Sequence, residues 1–407
     1  MTRQVCRETI TDTTAGITAG AVDSVRNRSI LRTGLRLYDG ATVGVAGCLG
    51  EADMTDLENK ARKMLGFVPF PWEPAGEQVC HRERTGAEPG PILGEAEALV
   101  SGLSRDFPDI LISGKLAFRS GRKSMSGDGL DLSFSHRGFE LGLTYKRRDS
   151  SAIIDGFAVR GGPDWNREQV LEEIRREFTA FLNPEAPPPS GKMTVVFIDS
   201  QQVLSQLMAD LHGLRYATGS SLLSGKMNSR VFSKDFTLLQ YADDFQGSPF
   251  FDAEGTVTPT GGLPLIDEGV FEKAFTDIRT SRTYNLPLTG AAAAAYDGVP
   301  ALGWPEVKVK PSRRTLEQLI ADEPAILISV TSGGDFTPTG GFGAPVQLAF
   351  LLDGSGKPVG RLPECSISST VWKMLGEDFL GVSADPFNPS SDQKAMVMKM
   401  DVEFPQG

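Results

Sequence analysis

The sequence predicts an α+β protein in two parts: an α/β N-terminal domain with mainly antiparallel strands, and a β-rich C-terminal domain with few helices. Three observations carry that expectation. Short apolar runs alternate with Gly and Pro turns along most of the chain, which is how antiparallel strands joined by hairpins read. A few stretches switch to helical period, the clearest of the first half at 164–182. Near mid-chain, Pro184-Glu185-Ala186-Pro187-Pro188-Pro189-Ser190-Gly191 interrupts both patterns. Such a run favours extended backbone and carries no core. The boundary is therefore placed there, giving residues 1–183, a linker at 184–191, and residues 192–407. A chain of 407 residues can bury two cores without disulfide or metal staples.

In the first part, residues 1–50 read as strands between Gly turns, with Asp39-Gly40 turning 35–38 back into 43–46. Residues 53–65 place Met54, Leu57, Ala61 and Met64/Leu65 on one helical face, and Gly66 can stop that helix. Three prolines make 67–74 irregular. A second helix is expected at 92–103, then strands at 111–118, 130–135, 139–145 and 153–159. The helix at 164–182 would be capped by Asp164 and would bury Leu171, Ile174, Phe178 and Leu182, with Asn183-Pro184 ending it.

The second part opens with a strand at 193–198 and a helix from Gln201 to His212 closed by Gly213. Further strands are expected at 306–310, 325–330, 346–352 and 396–404, with a helical turn at 316–320. TPTGG occurs at 258–262 and again at 337–341, each time before an apolar strand, so a structural repeat is one reading.

Composition narrows function mostly by exclusion. With 23% charged and 40% hydrophobic residues this is the composition of a water-soluble globular protein. A net charge of −11 argues against a binder that neutralises a nucleic-acid backbone. No apolar run approaches the roughly 20 residues of a membrane span, and residues 1–20 lack a signal-peptide core, so neither nucleic acid nor membrane is expected as a partner. The four cysteines lack C-x-x-C spacing and read as reduced thiols of a cytoplasmic protein.

The three histidines, His81, His136 and His212, rule out a two-histidine helical zinc motif, since no two are four residues apart. His212 reads as a helix C-terminal cap. Cys365 with a distant histidine remains open as a nucleophile pair, though a buried inert thiol is the simpler reading. Asp243-Asp244 could act as paired carboxylates, or merely cap a strand. No glycine loop has phosphate-binding spacing.

The most distinctive text is 251–290, FDAEGTVTPTGGLPLIDEGVFEKAFTDIRTSRTYNLPLTG. It reads as turns around a hairpin, with Asp267-Glu268-Gly269 as a three-residue turn and a return through 270–278 to Arg279-Thr280-Ser281-Arg282. Its F-D-x-E-G, strand, Gly turn, strand, R-T-S-R and later T-G resemble the TldD/TldE family, also called PmbA/TldD or modulator of DNA gyrase. Other segments resemble that family in the same order: Gly34-Leu35-Arg36-Leu37-Tyr38-Asp39-Gly40, then Ile154-Asp155-Gly156-Phe157, then TSGGDFTPTGGFG at 331–343, then 363–375. The family's usual first helix has no counterpart here.

The resemblance implies a metallopeptidase relationship. The family's TldD subunit carries H-E-x-x-x-H on a helix, with a cysteine near the C-terminus as a further ligand. Counting back from Gly219-Ser220-Ser221-Leu222-Leu223-Ser224-Gly225-Lys226, which resembles the segment after that motif, its positions fall on Leu204, Ser205 and Ala209. None of these is a zinc ligand or base. Cys365 sits in a context unlike TldD's, and no ligand role is carried over to it. The resemblance therefore points to the TldE (PmbA) type: a non-catalytic subunit with no zinc of its own and no catalytic, metal or cofactor residues. Its zinc would be held by a TldD-like partner in a heterodimer that acts on short or unfolded peptides. The alternative is a stand-alone homodimeric peptide-binding protein that has lost proteolysis.

Overall fold

The computed structural model describes residues 1–86, 89–198, 200–242, 247–321 and 323–405. A long hairpin founds the first part: β1 (Thr2–Thr18) and β2 (Ala21–Tyr38) pair in antiparallel register along their lengths. β3 (Val43–Leu49) follows through the Asp39-Gly40 turn, where the Asp39 carboxylate accepts the Ala41 and Thr42 N–H groups. The helix α1 (Met54–Lys63) is capped by Asp53 and buries Leu57 and Ala61 on this end of the sheet. Next come β4 (Gln78–Arg84), α2 (Ile92–Asp106), β5 (Ile110–Gly127), β6 (Leu130–Arg147), β7 (Gly156–Gly162) and α3 (Arg167–Leu182). The seven-stranded sheet runs β3-β2-β1-β5-β6-β4, with β7 also on β6.

Several local expectations are corrected. The segments expected at 130–135 and 139–145 are one strand, β6, because Gly138 lies extended in the sheet opposite Arg119 and does not turn. β4 was not expected; its sequence, QVCHRER, has too little apolar content to announce a strand, and it pairs in parallel with β6 at the sheet edge. α3 is capped by Asn166, whose side chain accepts the Gln169 N–H, rather than by Asp164. Phe181 completes its buried stripe, while Leu182 is exposed.

The second part contains β8 (Gly191–Phe197), α4 (Gln201–Leu211), α5 (Gly213–Ala217), β9 (Ser229–Arg230), β10 (Leu238–Gln240), β11 (Leu263–Asp267) and β12 (Val270–Phe271). It continues with α6 (Ile278–Tyr284), β13 (Ala292–Ala293), β14 (Ala301–Leu302), β15 (Val307–Val309), α7 (Leu316–Ile320), β16 (Ala325–Thr331) and β17 (Asp335–Phe336). It ends with β18 (Gly341–Leu352), β19 (Pro358–Arg361), β20 (Cys365–Thr370), α8 (Val371–Met374), β21 (Phe379–Pro386) and β22 (Lys394–Glu403). The eight-stranded sheet runs β16-β8-β22-β20-β18-β17, and β16 also pairs β18, so five of its strands close into a ring. A second sheet runs β15-β10-β11-β12-β9. These antiparallel sheets, with short helices against them, are the α+β fold that the sequence predicts.

Three more readings change in this part. Gly213 opens α5 instead of ending α4, because His212 between them is extended. The β11–β12 turn has two central residues, Glu268 and Gly269, both at positive φ as such a tight hairpin requires. The return expected over 270–278 is a strand only at β12, and α6, capped by Asp277, begins at Ile278 and holds Arg279 to Arg282. The two TPTGG runs also differ. One turns from Pro259 to Gly262 and feeds the five-stranded sheet; the other turns from Thr337 to Gly340 and feeds the eight-stranded one. Asp243 and Asp244 lie outside the described residues.

The Pro-rich run joins α3 to β8, and its first residues pair with β19: Glu185 donates to Arg361, which donates to Asn183. Around it one core joins both parts. Phe178 and Phe181 of α3 cluster with Val196, Leu327, Phe350 and Val397 of the ring.

Candidate functional site

The helix α4 holds the three positions singled out by the sequence. Val203, Leu204, Leu207 and Leu211 are buried against the ring's apolar interior, beside Val195, Phe342 and Val371. Leu204 is thus a core residue. Ser205 is exposed and donates to the Gln202 carbonyl in its own helix, 2.9 Å away. Ala209 is half-buried and offers only a methyl group. One hydroxyl already turned to its own backbone, an isobutyl and a methyl do not fit a zinc ion, which takes thiolate, imidazole or carboxylate donors.

A residue that sequence reasoning passed over organises this helix. Asp210 is buried, and its carboxylate accepts from Gln206 Nε2 at 2.7 Å and from the Leu222 N–H at 2.8 Å. Its backbone carbonyl accepts the Ser221 hydroxyl at 2.7 Å. The turn that follows α5 is therefore locked onto α4 through one residue, by its side chain and its backbone carbonyl. Its alternation with apolar neighbours gave no signal, because a buried acid has the same spacing as an exposed one.

The histidines are dispersed. His212 caps α4 through its backbone and packs edge-on against Phe275, with Trp304 alongside. Its Nδ1 is buried without a partner, and burial lowers its pKa, helped by Arg215. His81 pairs with Ser133 on β6, and His136 is buried in β6 against Phe134. Cys365 is buried in the ring's core, where burial pushes its thiol up to about 11; it is not a thiolate at neutral pH.

The structure brings together the motifs that had no visible chemistry. Arg36, from the Gly34–Gly40 segment, is buried beneath the 251–298 region, which it holds by three backbone carbonyls. It donates to Ala253, to Gly298 at 3.1 Å and to Ala295 at 3.4 Å. Gln4 donates to the Glu254 carbonyl at 3.2 Å and accepts the Tyr38 hydroxyl at 3.2 Å. The Asp252 carboxylate accepts the N–H groups of Glu254, Thr256 and Ala292 at 2.9, 2.9 and 3.0 Å, so it shapes its own turn and pins the alanine run. Burial nevertheless pushes Asp252 up to about 6. Glu254 has no exposed surface. Its Oε2 accepts the Ile278 N–H at the start of α6, its Oε1 has no partner, and burial followed by the nearby Asp252 pushes it up to about 8.

Beside this seam lies a cleft of about 380 Å³ between the N-terminal sheet and residues 290–306. Cys6, Arg7 and Lys123 stand on the sheet side, and Tyr241, the run Ala291 to Ala295 and Trp304 form the opposite wall. Ala293, Ala294 and Ala295 are exposed into it, and Trp304 is 62% exposed. A side chain on Gly34 or Gly47 would overlap Tyr296, so these two glycines let the end of the wall lie flat on β2 and β3.

A family model described as the PmbA/TldA metallopeptidase C-terminal domain matches residues 190–403. The chain belongs to the PmbA/TldD family. Solved structures share the fold of nearly the whole chain. TldE from Thermococcus kodakarensis aligns with a TM-score of 0.77 at 17% identity, over 99% of this chain and 97% of that one. A protein from Thermotoga maritima MSB8, described as a candidate modulator of a DNA gyrase, aligns at 0.76 and 16%, over 99% and 95%. A similarly described protein from Bacteroides thetaiotaomicron VPI-5482 aligns at 0.73 and 17%, over 100% and 95%. The search of curated proteins found no match. Within this family, Arg36, Asp252 and Glu254 are the motif residues whose work is now visible: they join the two parts beside the cleft. No helix among the described residues is long and apolar enough to cross a membrane.

Proposed function

We propose that this chain is a TldE-type subunit of a PmbA/TldD-family metallopeptidase complex, holding no zinc of its own and supplying wall and peptide-contacting surface to the complex. The observation that carries this reading is α4: at the positions that the sequence resemblance assigns to H-E-x-x-x-H, Leu204 lies in the core, Ser205 donates to its own backbone, and Ala209 offers a methyl group. The fold shared with TldE over 99% of the chain is consistent with it. Zinc would come from a TldD-like partner, and no catalytic step is assigned to this chain. The cleft beside the alanine run is the proposed peptide-contacting surface. Its small methyl-bearing wall lets an extended backbone approach closely, and Tyr241 and Trp304 offer apolar contact without selecting one side chain.

Metal analysis of the purified chain, followed by reconstitution with an H-E-x-x-x-H-bearing subunit from the same genome, tests the reading. Substoichiometric zinc, with peptidase activity only in the mixture, is expected. Stoichiometric zinc that survives chelation, together with activity of the isolated chain, would overturn it. A homodimer that binds peptides and ignores every such subunit would replace it with the stand-alone alternative.

A further inference from the structure

We propose that Glu254 is a proton-operated latch: as the neutral acid it closes the seam between the N-terminal sheet and the cleft wall, and on ionising it loosens that seam and opens the cleft. The inference does not depend on the subunit reading.

The geometry comes first. Glu254 is fully buried in a turn clasped from three sides: by Gln4 of β1 and Arg36 of β2, by the Ala75 N–H, and by the first turn of α6. Its Oε2 has one donor and its Oε1 none. A neutral carboxyl in that position forgoes a hydrogen bond, whereas a carboxylate there lacks the solvation that a buried charge needs.

The charged and titratable groups around it do not relieve that need. Arg36 is a cation that favours the charged form of Glu254, but each of its three nitrogens donates to a backbone carbonyl, those of residues 253, 295 and 298. Asp252 in the same turn and Asp277 at the cap of α6 are like charges that oppose ionisation. Tyr38 and Cys6 on the sheet behind are themselves held in their neutral forms by burial. Burial thus keeps the Glu254 proton on to about pH 8.

When that proton leaves to bulk water, the nearest way to hydrate the carboxylate is to part the turn from Gln4 and Arg36. Asp252 ties the turn to Ala292, so the turn and the alanine wall move as one piece. Parting the seam therefore displaces a wall of the cleft.

Hydrogen exchange read by mass spectrometry on the intact chain tests the latch, with Glu254→Gln as the permanently neutral form. In the wild type, the opening constant for peptides covering 252–256 and 291–298 should rise about tenfold per pH unit from about pH 6, above which Asp252 no longer contributes, to about pH 8 and then level off, as one-proton linkage requires. In Glu254→Gln it should be flat between about pH 6 and pH 8, above the range where Asp252 titrates, once intrinsic exchange is divided out. Equal slopes in the two proteins would overturn the proposal. The infrared spectrum of the wild type gives a second readout that needs no variant to fold. A protonated-carboxyl band should be present at about pH 7 and lost by about pH 9. Its absence at the lower pH would equally overturn it.

Discussion

Leu204 is the residue on which the functional reading turns, and it is buried in the apolar cluster inside the ring. Truncating it removes core contacts and leaves a cavity, so Leu204→Ala should lower stability by about 2–5 kcal/mol, as buried leucines do. Urea denaturation measures that loss, and zinc content should not change with it. Glu254 makes the opposite prediction. Its folded pKa, about 8, lies above its ordinary value of 4.5, so the folded state holds a proton that the unfolded chain has already released. The stabilisation is complete below about pH 4.5 and is drawn down by roughly 1.4 kcal/mol per unit as the pH rises towards 8. Glu254→Gln should be more stable than the wild type at pH 8 and should remove this part of the slope. Denaturation midpoints across that window decide it.

At the scale of elements, the fold depends on polar side chains that hold one piece of backbone to another. Asp210→Ala would free the Leu222 N–H and the Gln206 amide inside α4's packing, at an expected cost of about 1–3 kcal/mol. The loss should appear as faster amide exchange confined to 221–226. Gly34→Ala tests the other kind of contact, where backbone lies directly on a strand. The new methyl group meets the Tyr296 carbonyl, so the 295–298 segment must lift and Arg36 must give up carbonyls. A loss of about 1–3 kcal/mol is expected, of the size seen for overpacking, and Trp304 emission offers a local probe of the displaced wall. Elements with strong periodicity or clear turn residues, such as α1, α7 and the β11–β12 hairpin, were legible in the sequence. β4 was not, because an edge strand on a polar sheet face needs no apolar alternation. The single length of β6 was not either, because glycine in a strand has the same spelling as glycine in a turn.

For the whole molecule, the composition of 184–191 marks a linker, yet packing makes the two parts depend on each other. α3 is buried partly by the ring, and Arg36, Gln4 and Glu254 close a second junction on the far side of the sheet. Unfolding followed by circular dichroism and by tryptophan emission should therefore give coincident transitions. A nick within 186–189, where most residues are exposed, should leave the halves associated in gel filtration. Two separate transitions would show that the parts stand alone.

The α+β class, the family and the absence of metal-binding side chains at Leu204, Ser205 and Ala209 were determined by the sequence alone, because strand and helix periodicity, turn residues and side-chain identity are local properties. What the FDAEG and GLRLYDG segments do was decided only in the folded chain. Arg36 and Glu254 are 218 positions apart, and neither carries a signal of its partner. Their charge, burial and unequal satisfaction arise when the N-terminal sheet meets the turn before the alanine wall. A carboxyl becomes a buried proton carrier through what surrounds it, and that is a property of tertiary packing.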